Sequence, residues 1–296
     1  MRAIIPLLYL LLLTEVLAQT TAPDIPQLIQ DCQANGRNGS LLSEYTYNWK
    51  ITQRGPDRKG NFKDEFALYE TYVPTLKTKG ATKFVLIQTH AKSQPLPSDK
   101  VAQERQKAGE RLAKAENEHQ QERAKETPTV EEESRQRLPG VYFDANVNFG
   151  LLKNVKLSPQ TILKQCVFEN PRDETLNGRP ALKLDFRPSP TASFEKDEQF
   201  LARTQGAIWI DKADRLVVKI EGRKLNAQPT DEFVFLYQSI RVPEGKWLPE
   251  RVQISGSQNK EFFNGMGGDM IFEWLEYKHF MTEAEDAKLK APVKPL

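Results

Sequence analysis

The sequence predicts a mainly β (α+β) protein: a curved antiparallel sheet or half-barrel of about ten strands, with covering helices and a charged helical insertion. Apolar and polar residues alternate in many segments after residue 45, as in strands with one buried face. The loops between most of these segments are short, which favours antiparallel pairing. A sheet of that size must curl, and helices must cover its concave face.

The chain begins with the features of a secretory signal peptide. Arg2 precedes an apolar run over residues 3–13, and Val16 and Ala18 are the small residues expected before a cleavage site. The run is shorter than the roughly 20 residues that span a bilayer. We expect cleavage after Ala18 and a mature, soluble periplasmic protein with no transmembrane segment; the alternative is an uncleaved N-terminal anchor.

The sequence is predicted to divide into three parts. Residues 1–18 are the signal peptide, and residues 282–296 form a charged, proline-containing flexible tail. Between them, residues 19–281 form a single β domain, within which residues 98–138 are the helical insertion.

Two short helices are expected to cover the sheet. One lies at residues 25–33, where Ile25, Leu28, Ile29 and Cys32 share a face. The second begins at Ser158-Pro159, a pattern typical of an N-cap followed by proline in the first turn, and runs to Leu163.

The strands are predicted from alternation and turn residues. In the first, residues 45–52, large apolar residues alternate with polar ones. In the last, strict alternation places Tyr277 on the face of Ile271 and Trp274 on the opposite face. The other predicted strands are 62–73, 83–89, 180–186, 206–211, 215–220, 231–242 and 246–255, and the segment 141–149 is ambiguous.

The segment 98–138 differs from the rest, because it is rich in charged residues and has no aromatic residue. Opposite charges recur at helical spacing, as in Lys100 and Glu104, while apolar residues form only a thin stripe. This pattern indicates a solvated helix or helical hairpin, broken near Thr127-Pro128. The alternative is a helix that docks a partner protein.

Two cysteines, Cys32 and Cys166, allow a single disulfide in an oxidising compartment. Such a bridge would close a long loop and could stabilise the protein by about 4–5 kcal/mol in the chain-entropy model. Export favours the disulfide, and the alternative is two buried, unpaired thiols.

Signals for catalysis are sparse. The three histidines lack metal-ligand spacing, and no Gly-x-Ser-x-Gly or Cys-x-x-Cys motif occurs. Basic and acidic residues are interspersed, which gives no reason to expect nucleic acid. We therefore expect no catalytic residues, no metal and no cofactor. An envelope hydrolase that uses a pair of carboxylates is the remaining enzyme hypothesis.

Aromatic residues are concentrated in the predicted strands. We predict that several line an apolar cavity in the curved sheet, and the alternative for each is an ordinary packed core. The predicted lining residues are Trp49, Phe186, Trp209, Phe235 and Trp274.

Three segments carry a resemblance to a known family: Gly178 to Pro188, Gly206 to Asp211 with Arg215 to Val217, and Trp247 to Val252. Together they resemble the bacterial outer-membrane lipoprotein-sorting (LolA-like) superfamily over roughly residues 40–280, apart from the insertion. The resemblance implies a signal peptide, a half-barrel closed by helices, and a non-enzymatic concave face that binds acyl chains.

The sequence therefore predicts a monomeric, non-enzymatic periplasmic protein that holds lipid or lipoprotein acyl chains, for transport or sensing. The alternative is an envelope regulatory module in which the charged insertion docks a protein partner.

Overall fold

A computed structural model describes residues 24–35, 45–56, 62–72, 85–125, 141–142, 156–157, 159–224, 233–256 and 268–279. The predicted signal peptide, the predicted break at Thr127-Pro128 and the predicted tail at 282–296 lie outside these residues. Among the helices that are described, none is both long and apolar enough to cross a bilayer.

Within the described residues, eleven antiparallel strands form one open sheet, and two short strands form a second. The bounds are β1 (Tyr45–Pro56), β2 (Phe62–Thr71), β3 (Leu86–Ala91), β4 (Gln94–Pro95), β5 (Val141–Tyr142), β6 (Lys156–Leu157), β7 (Cys166–Leu176), β8 (Arg179–Pro188), β9 (Thr204–Asp211), β10 (Leu216–Lys224), β11 (Phe233–Arg241), β12 (Trp247–Gly256) and β13 (Gly268–His279). The predicted fold class, a mainly β protein with a large antiparallel sheet, is confirmed.

The order of strands in the large sheet is β4-β3-β2-β1-β13-β12-β11-β10-β9-β8-β7. Almost every strand pairs with its neighbour in the chain, as the short loops predicted. The exception is β1, which pairs with β13, so that Trp49 lies opposite Trp274 and Ile51 opposite Phe272. The N-terminal meander and the C-terminal meander thus become one sheet through this single pairing.

The helices are α1 (Ile25–Asn35), α2 (Ser98–Lys125), α3 (Pro159–Gln165) and a 3₁₀ helix (Lys196–Arg203). Ile29 of α1, Ile162 of α3 and Leu201 of the 3₁₀ helix pack into one apolar cluster with the sheet. We call the sheet face that bears this cluster the inner face. Its members on the strands are Tyr47, Ile51, Leu182, Leu184, Phe186, Ile208, Ile210, Ile220, Phe235, Tyr237, Val252, Ile254, Met270, Phe272 and Trp274.

The charged helix α2 lies against the opposite, outer face of the sheet. Its residues Ala108 and Leu112 pack with Val85 and Ile87, whereas the intervening Leu86 packs on the inner cluster. An ion pair between Arg105 and Glu70 of β2 adds to the contact. The helical prediction for this segment is confirmed over Ser98–Lys125, and its thin apolar stripe is used on the protein's own sheet.

Strand β7 has no counterpart among the predicted strands. It forms the edge of the sheet, so only one side of it pairs with a neighbour. Pro171 and the charged residues around it fit such an edge, because an unpaired side needs no donor and charges discourage strand addition. Asn170 has a φ of 53°, and the register against β8 shifts beside it. The strand therefore lacks the alternation on which the prediction depended.

The β9–β10 turn is held by a buried carboxylate. Arg179 of β8 donates hydrogen bonds from Nε to Asp211 and from Nη2 to both Asp211 and Asp214, at 2.6 to 2.9 Å. The backbone N–H groups of Ala213 and Asp214 also donate to Asp211 Oδ1. On the far side, the Trp247 indole N–H donates to Asp214 at 2.8 Å. These contacts join β8, β9, β10 and β12 on the outer face.

Burial by itself would raise the pKa of Asp211, but the hydrogen bonds from Arg179 and from the Asp214 N–H lower it overall. Because the pKa is lower in the folded state, the carboxylate stabilises the fold above the unfolded-state value of about 4, and this stabilisation is lost as the pH falls through the folded-state value.

We expect Asp211→Asn to lower the free energy of unfolding by about 1–3 kcal/mol at pH 7, because a buried charge-assisted hydrogen bond is weakened. The loss should shrink below about pH 4, because Asp211 takes up a proton there in the unfolded chain while the folded protein keeps the charge to lower pH. Urea unfolding across pH measures both effects. The exposed Asp173, which pairs with Lys212, provides Asp173→Asn as a control with little effect. A loss that is equal at pH 3 and pH 7 would contradict the ionised Asp211.

We expect Leu112→Ala to destabilise the protein by about 2–3 kcal/mol, because it leaves a cavity over Val85 and Ile87. Gln103→Ala, at an exposed position of the same helix, should change stability by less than about 0.5 kcal/mol. Thermal unfolding followed by circular dichroism gives the comparison. Equal stability of the two variants would mean that α2 does not dock on the sheet in solution.

Candidate functional site

Two of the predicted lining residues, Phe186 and Phe235, fill space beside a pair of glycines. Across four strands, Phe186 pairs with Gly206, Gly206 with Gly222, and Gly222 with Phe235. A Cβ atom on Gly222 would lie 2.1 Å from the Phe235 ring, so only glycine allows this packing. Phe235 also contacts Phe200 of the 3₁₀ helix edge-on, at 6.0 Å between ring centroids. Both residues are buried where the helices cover the sheet.

Trp209 lies on the outer face, apart from the other predicted lining residues. It packs with Ala181, Ala207 and Val218, while its neighbours Ile208 and Ile210 belong to the inner cluster. Lys183 and Lys219 lie over the ring at 4.6 and 4.4 Å from its centroid. Its indole N–H donates to Glu174 at 2.7 Å. Strand β9 is apolar on both faces, so its sequence does not show which face Trp209 takes.

Trp49 and Trp274 do lie together on the inner face, on the paired strands β1 and β13. The Trp49 ring contacts those of Tyr69, Phe272 and Trp274, at centroid distances of 5.9 to 6.2 Å. Trp274 is buried, whereas Trp49 and Tyr69 are half-buried. The Trp49 indole N–H is buried, and no hydrogen-bond acceptor for it lies among the described residues. We call Trp49, Tyr69, Phe272 and Trp274 the aromatic patch.

The covering helices contact a part of the inner face that is separate from the aromatic patch. Helix α1 contacts chiefly β10 and α3, and the 3₁₀ helix contacts β6, β8 and β9. The aromatic patch lies on β1, β2 and β13, toward the other side of the sheet. The predicted lining set therefore separates into a helix-covered pair, a pair in the aromatic patch, and Trp209 on the outer face.

A group of polar aromatic residues adjoins the patch, and the sequence did not predict it. A bulge at Glu276, which has a φ of 56°, sets two residues of β13 against one of β1. The bulge turns Tyr277 onto the inner side, where its ring lies 5.8 Å from that of Tyr47. The expectation that Tyr277 shares a face with Ile271 is therefore wrong, because strict alternation does not allow for the extra residue.

Tyr277 lies near each of the other polar residues of this group, which are Tyr47, Tyr237 and Glu250. Its hydroxyl donates to the backbone oxygen of Pro249 at 2.6 Å, beside Glu250. Burial raises the pKa of Tyr277 well above its usual range, and the nearby Tyr47, Tyr237 and Glu250 raise it further. One oxygen of Glu250, Oε2, is buried and has no hydrogen-bond partner among the described residues. We call Tyr47, Tyr237, Glu250 and Tyr277 the tyrosine–glutamate group.

Both cysteines lie near the covering helices as free thiols, so the predicted disulfide is not formed in the structure. Burial, with a smaller contribution from Asp31, raises the pKa of Cys32 to about 12, and burial raises that of Cys166 to about 12. The described residues contain no group of three or more His, Cys, Asp or Glu side chains arranged to hold a metal ion.

No protein-family model matches the chain, and no curated protein matches it. Among solved structures, the chain is similar to a putative outer membrane lipoprotein-sorting protein domain from Vibrio parahaemolyticus, with 10% sequence identity and a TM-score of 0.36 over 88% of this chain and 96% of that chain. It is also similar to a LolA superfamily protein from Nitrosomonas europaea, with 10% identity and a TM-score of 0.34 over 91% of this chain and 99% of that chain. A DUF1329 family protein from Desulfovibrio piger is similar as well, with 9% identity and a TM-score of 0.34 over 87% of this chain and 94% of that chain. Two of these names agree with the superfamily that the sequence resembles.

We expect both thiols of the folded, reduced protein to resist iodoacetamide at pH 8, because thiols with a pKa of about 12 are almost entirely protonated there. Unfolding in guanidinium should expose both to labelling, which mass spectrometry counts. Rapid labelling of the folded protein would contradict the burial. Protein purified from an oxidising compartment provides the test of the predicted Cys32–Cys166 bridge: if it labels only after reduction, the bridge forms there.

Proposed function

We propose that this protein is a non-enzymatic, monomeric periplasmic binding protein, exported by a signal peptide cleaved after Ala18, that holds lipid or lipoprotein acyl chains against the inner face of its sheet. The observation that carries the proposal is the aromatic patch. Trp49 lies on the apolar inner face and contacts three other rings, yet it stays half-buried.

Apolar burial supplies the driving force for such a ligand. Each Å² of apolar surface removed from water is worth about 25 cal/mol, so an acyl chain laid along the patch would gain useful affinity without any covalent step. Flat, rigid rings also lose little conformational entropy when a ligand packs on them. The buried Trp49 N–H supports a ligand with an acceptor, such as an ester or amide carbonyl, beside its chain.

The location of the helices also supports the proposal. Helices α1, α3 and the 3₁₀ helix cover the inner face from β8 to β11, where Phe186 and Phe235 are buried. A ligand that binds at the aromatic patch therefore needs no opening of that packed region. We accordingly remove Phe186, Phe235 and the outer-face Trp209 from the proposed lining and keep Trp49 and Trp274.

The alternative role for α2, docking of a protein partner, remains a prediction. Val101, Ala108 and Leu112 are engaged with the sheet, so a partner would have to recognise the charged residues of the helix. Both transport and sensing of the ligand fit the proposal. The hydrolase that uses a pair of carboxylates remains a prediction of its own.

A brominated acyl chain tests where the ligand lies, because bromine quenches tryptophan fluorescence by contact. The protein has four tryptophans, of which Trp49 and Trp274 are on the inner face and Trp209 on the outer face. We expect dibrominated stearate to quench part of the wild-type emission in a saturable manner. Trp49→Phe should reduce the fraction of emission that is quenched, because it removes a contacting indole.

Trp209→Phe is the matched control, since it removes an indole on the other face. The fraction of emission quenched should rise in this variant, because an indole that the ligand does not touch has been lost. Circular dichroism confirms that both variants are folded. Equal quenching of both variants, or no saturable quenching of the wild type, would contradict acyl binding at the aromatic patch.

A further inference from the structure

The tyrosine–glutamate group lies in a row across four neighbouring strands. Tyr47 is on β1, Tyr277 on β13, Glu250 on β12 and Tyr237 on β11. Glu250 lies where the register between β11 and β12 shifts, and its carboxylate is near enough to the Tyr277 hydroxyl to raise the pKa of Tyr277. The row adjoins the aromatic patch, because Tyr47 precedes Trp49 by two residues on one strand and Tyr277 follows Trp274 on the other.

The hydroxyls of this row are mostly committed to other partners. Tyr277 donates to the oxygen of Pro249, and the Ser239 hydroxyl donates to that of Tyr237 at 2.8 Å. Tyr237 lies opposite Val252, and Ser239 lies opposite Pro249. The rings of Tyr47 and Tyr237 are buried and that of Tyr277 is half-buried, and the carboxylate of Glu250 is the one formal charge within the row.

Glu250 Oε2 is the atom that needs an explanation. It is buried, and no donor for it exists among the described residues. The next residue, Arg251, does not supply one: its Nη1 lies 3.5 Å from Glu273, its Nη2 donates to Gln253, and its Nε is buried without an acceptor among the described residues. Glu250 as a whole is half-buried, but a carboxylate oxygen that is buried without a donor costs free energy comparable to a lost charged hydrogen bond. Such a group is stabilised when a cation binds to it.

The surroundings favour one kind of cation. Tyr45 packs edge-on to Tyr277 at 6.0 Å between centroids, and Tyr47 lies tilted against it at 5.8 Å. The negative face of an aromatic ring attracts a cation, and quaternary ammonium groups are bound in proteins by clusters of such rings. Hydrated metal ions prefer several oxygen ligands, and this row offers a single carboxylate.

We propose that Glu250 and the rings of Tyr47, Tyr237 and Tyr277 bind the ammonium group of an amphiphilic ligand whose acyl or alkyl chain lies on the aromatic patch. The inference rests on the proposed function, and it adds the charge of the ligand. The carboxylate pairs with the ammonium, the rings surround its methyl or methylene groups, and the chain leaves toward Trp49 and Trp274.

Dodecyltrimethylammonium and dodecanoate, used below their micellar concentrations, separate the two proposals, because they share a chain and differ in charge. By isothermal titration calorimetry on the mature protein, we expect the ammonium probe to bind about tenfold more tightly than the carboxylate probe. Glu250→Gln should abolish this preference by weakening only the ammonium probe. Glu221→Gln, at a solvent-exposed outer-face carboxylate paired with Lys219, is the control and should preserve it.

A measurement on the unmodified protein provides a second readout. Tetramethylammonium chloride should weaken binding of the ammonium probe by competing for the same row, and sodium chloride at equal ionic strength should do so much less.

Equal affinity for the two probes, or an unchanged preference in Glu250→Gln, would overturn the ammonium site and leave acyl binding intact. Failure of both probes to bind wild-type protein would instead overturn the proposed function, and the ammonium site with it.

Discussion

The pairing of β1 with β13 is the constraint on which the rest of the structure depends. It joins an N-terminal meander of four strands to a C-terminal meander of seven, and it brings Trp49 opposite Trp274. A shift of this pairing by one residue would turn the apolar residues of one strand to the other face. Both the aromatic patch and the adjoining tyrosine–glutamate group span this junction, so their geometry is set by one register.

The inner face has two regions, one covered by helices and one near the β1–β13 junction. Under α1, α3 and the 3₁₀ helix, large side chains fit against glycines and against the helices, and their burial stabilises the fold. Near the β1–β13 junction, rings are stacked on one another, and Trp49 and Tyr69 keep contact with solvent. The packed region that stabilises the fold and the region proposed to bind a ligand therefore lie on different strands of a single apolar surface.

Period-two alternation was sufficient to predict the fold class and most strands, because it reports directly which face of a strand is buried. It failed where the backbone departs from regular pairing. Edge strand β7 carries Pro171 and many charges, and Glu276 adds a residue that changes the face of Tyr277. Trp209 could not be assigned from a strand that is apolar on both sides, and the role proposed for Glu250 depends on neighbours from other strands.

The β1–β13 pairing also has a consequence for how the chain reaches its native state. The contact between Asn48 and Glu276 joins residues 228 positions apart, so the sheet is completed only when nearly all of the chain is present. Contacts this distant in sequence make folding slow, and until then β1 has an unpaired apolar edge. Until β13 has been made, the growing chain therefore depends on protection from aggregation at this edge.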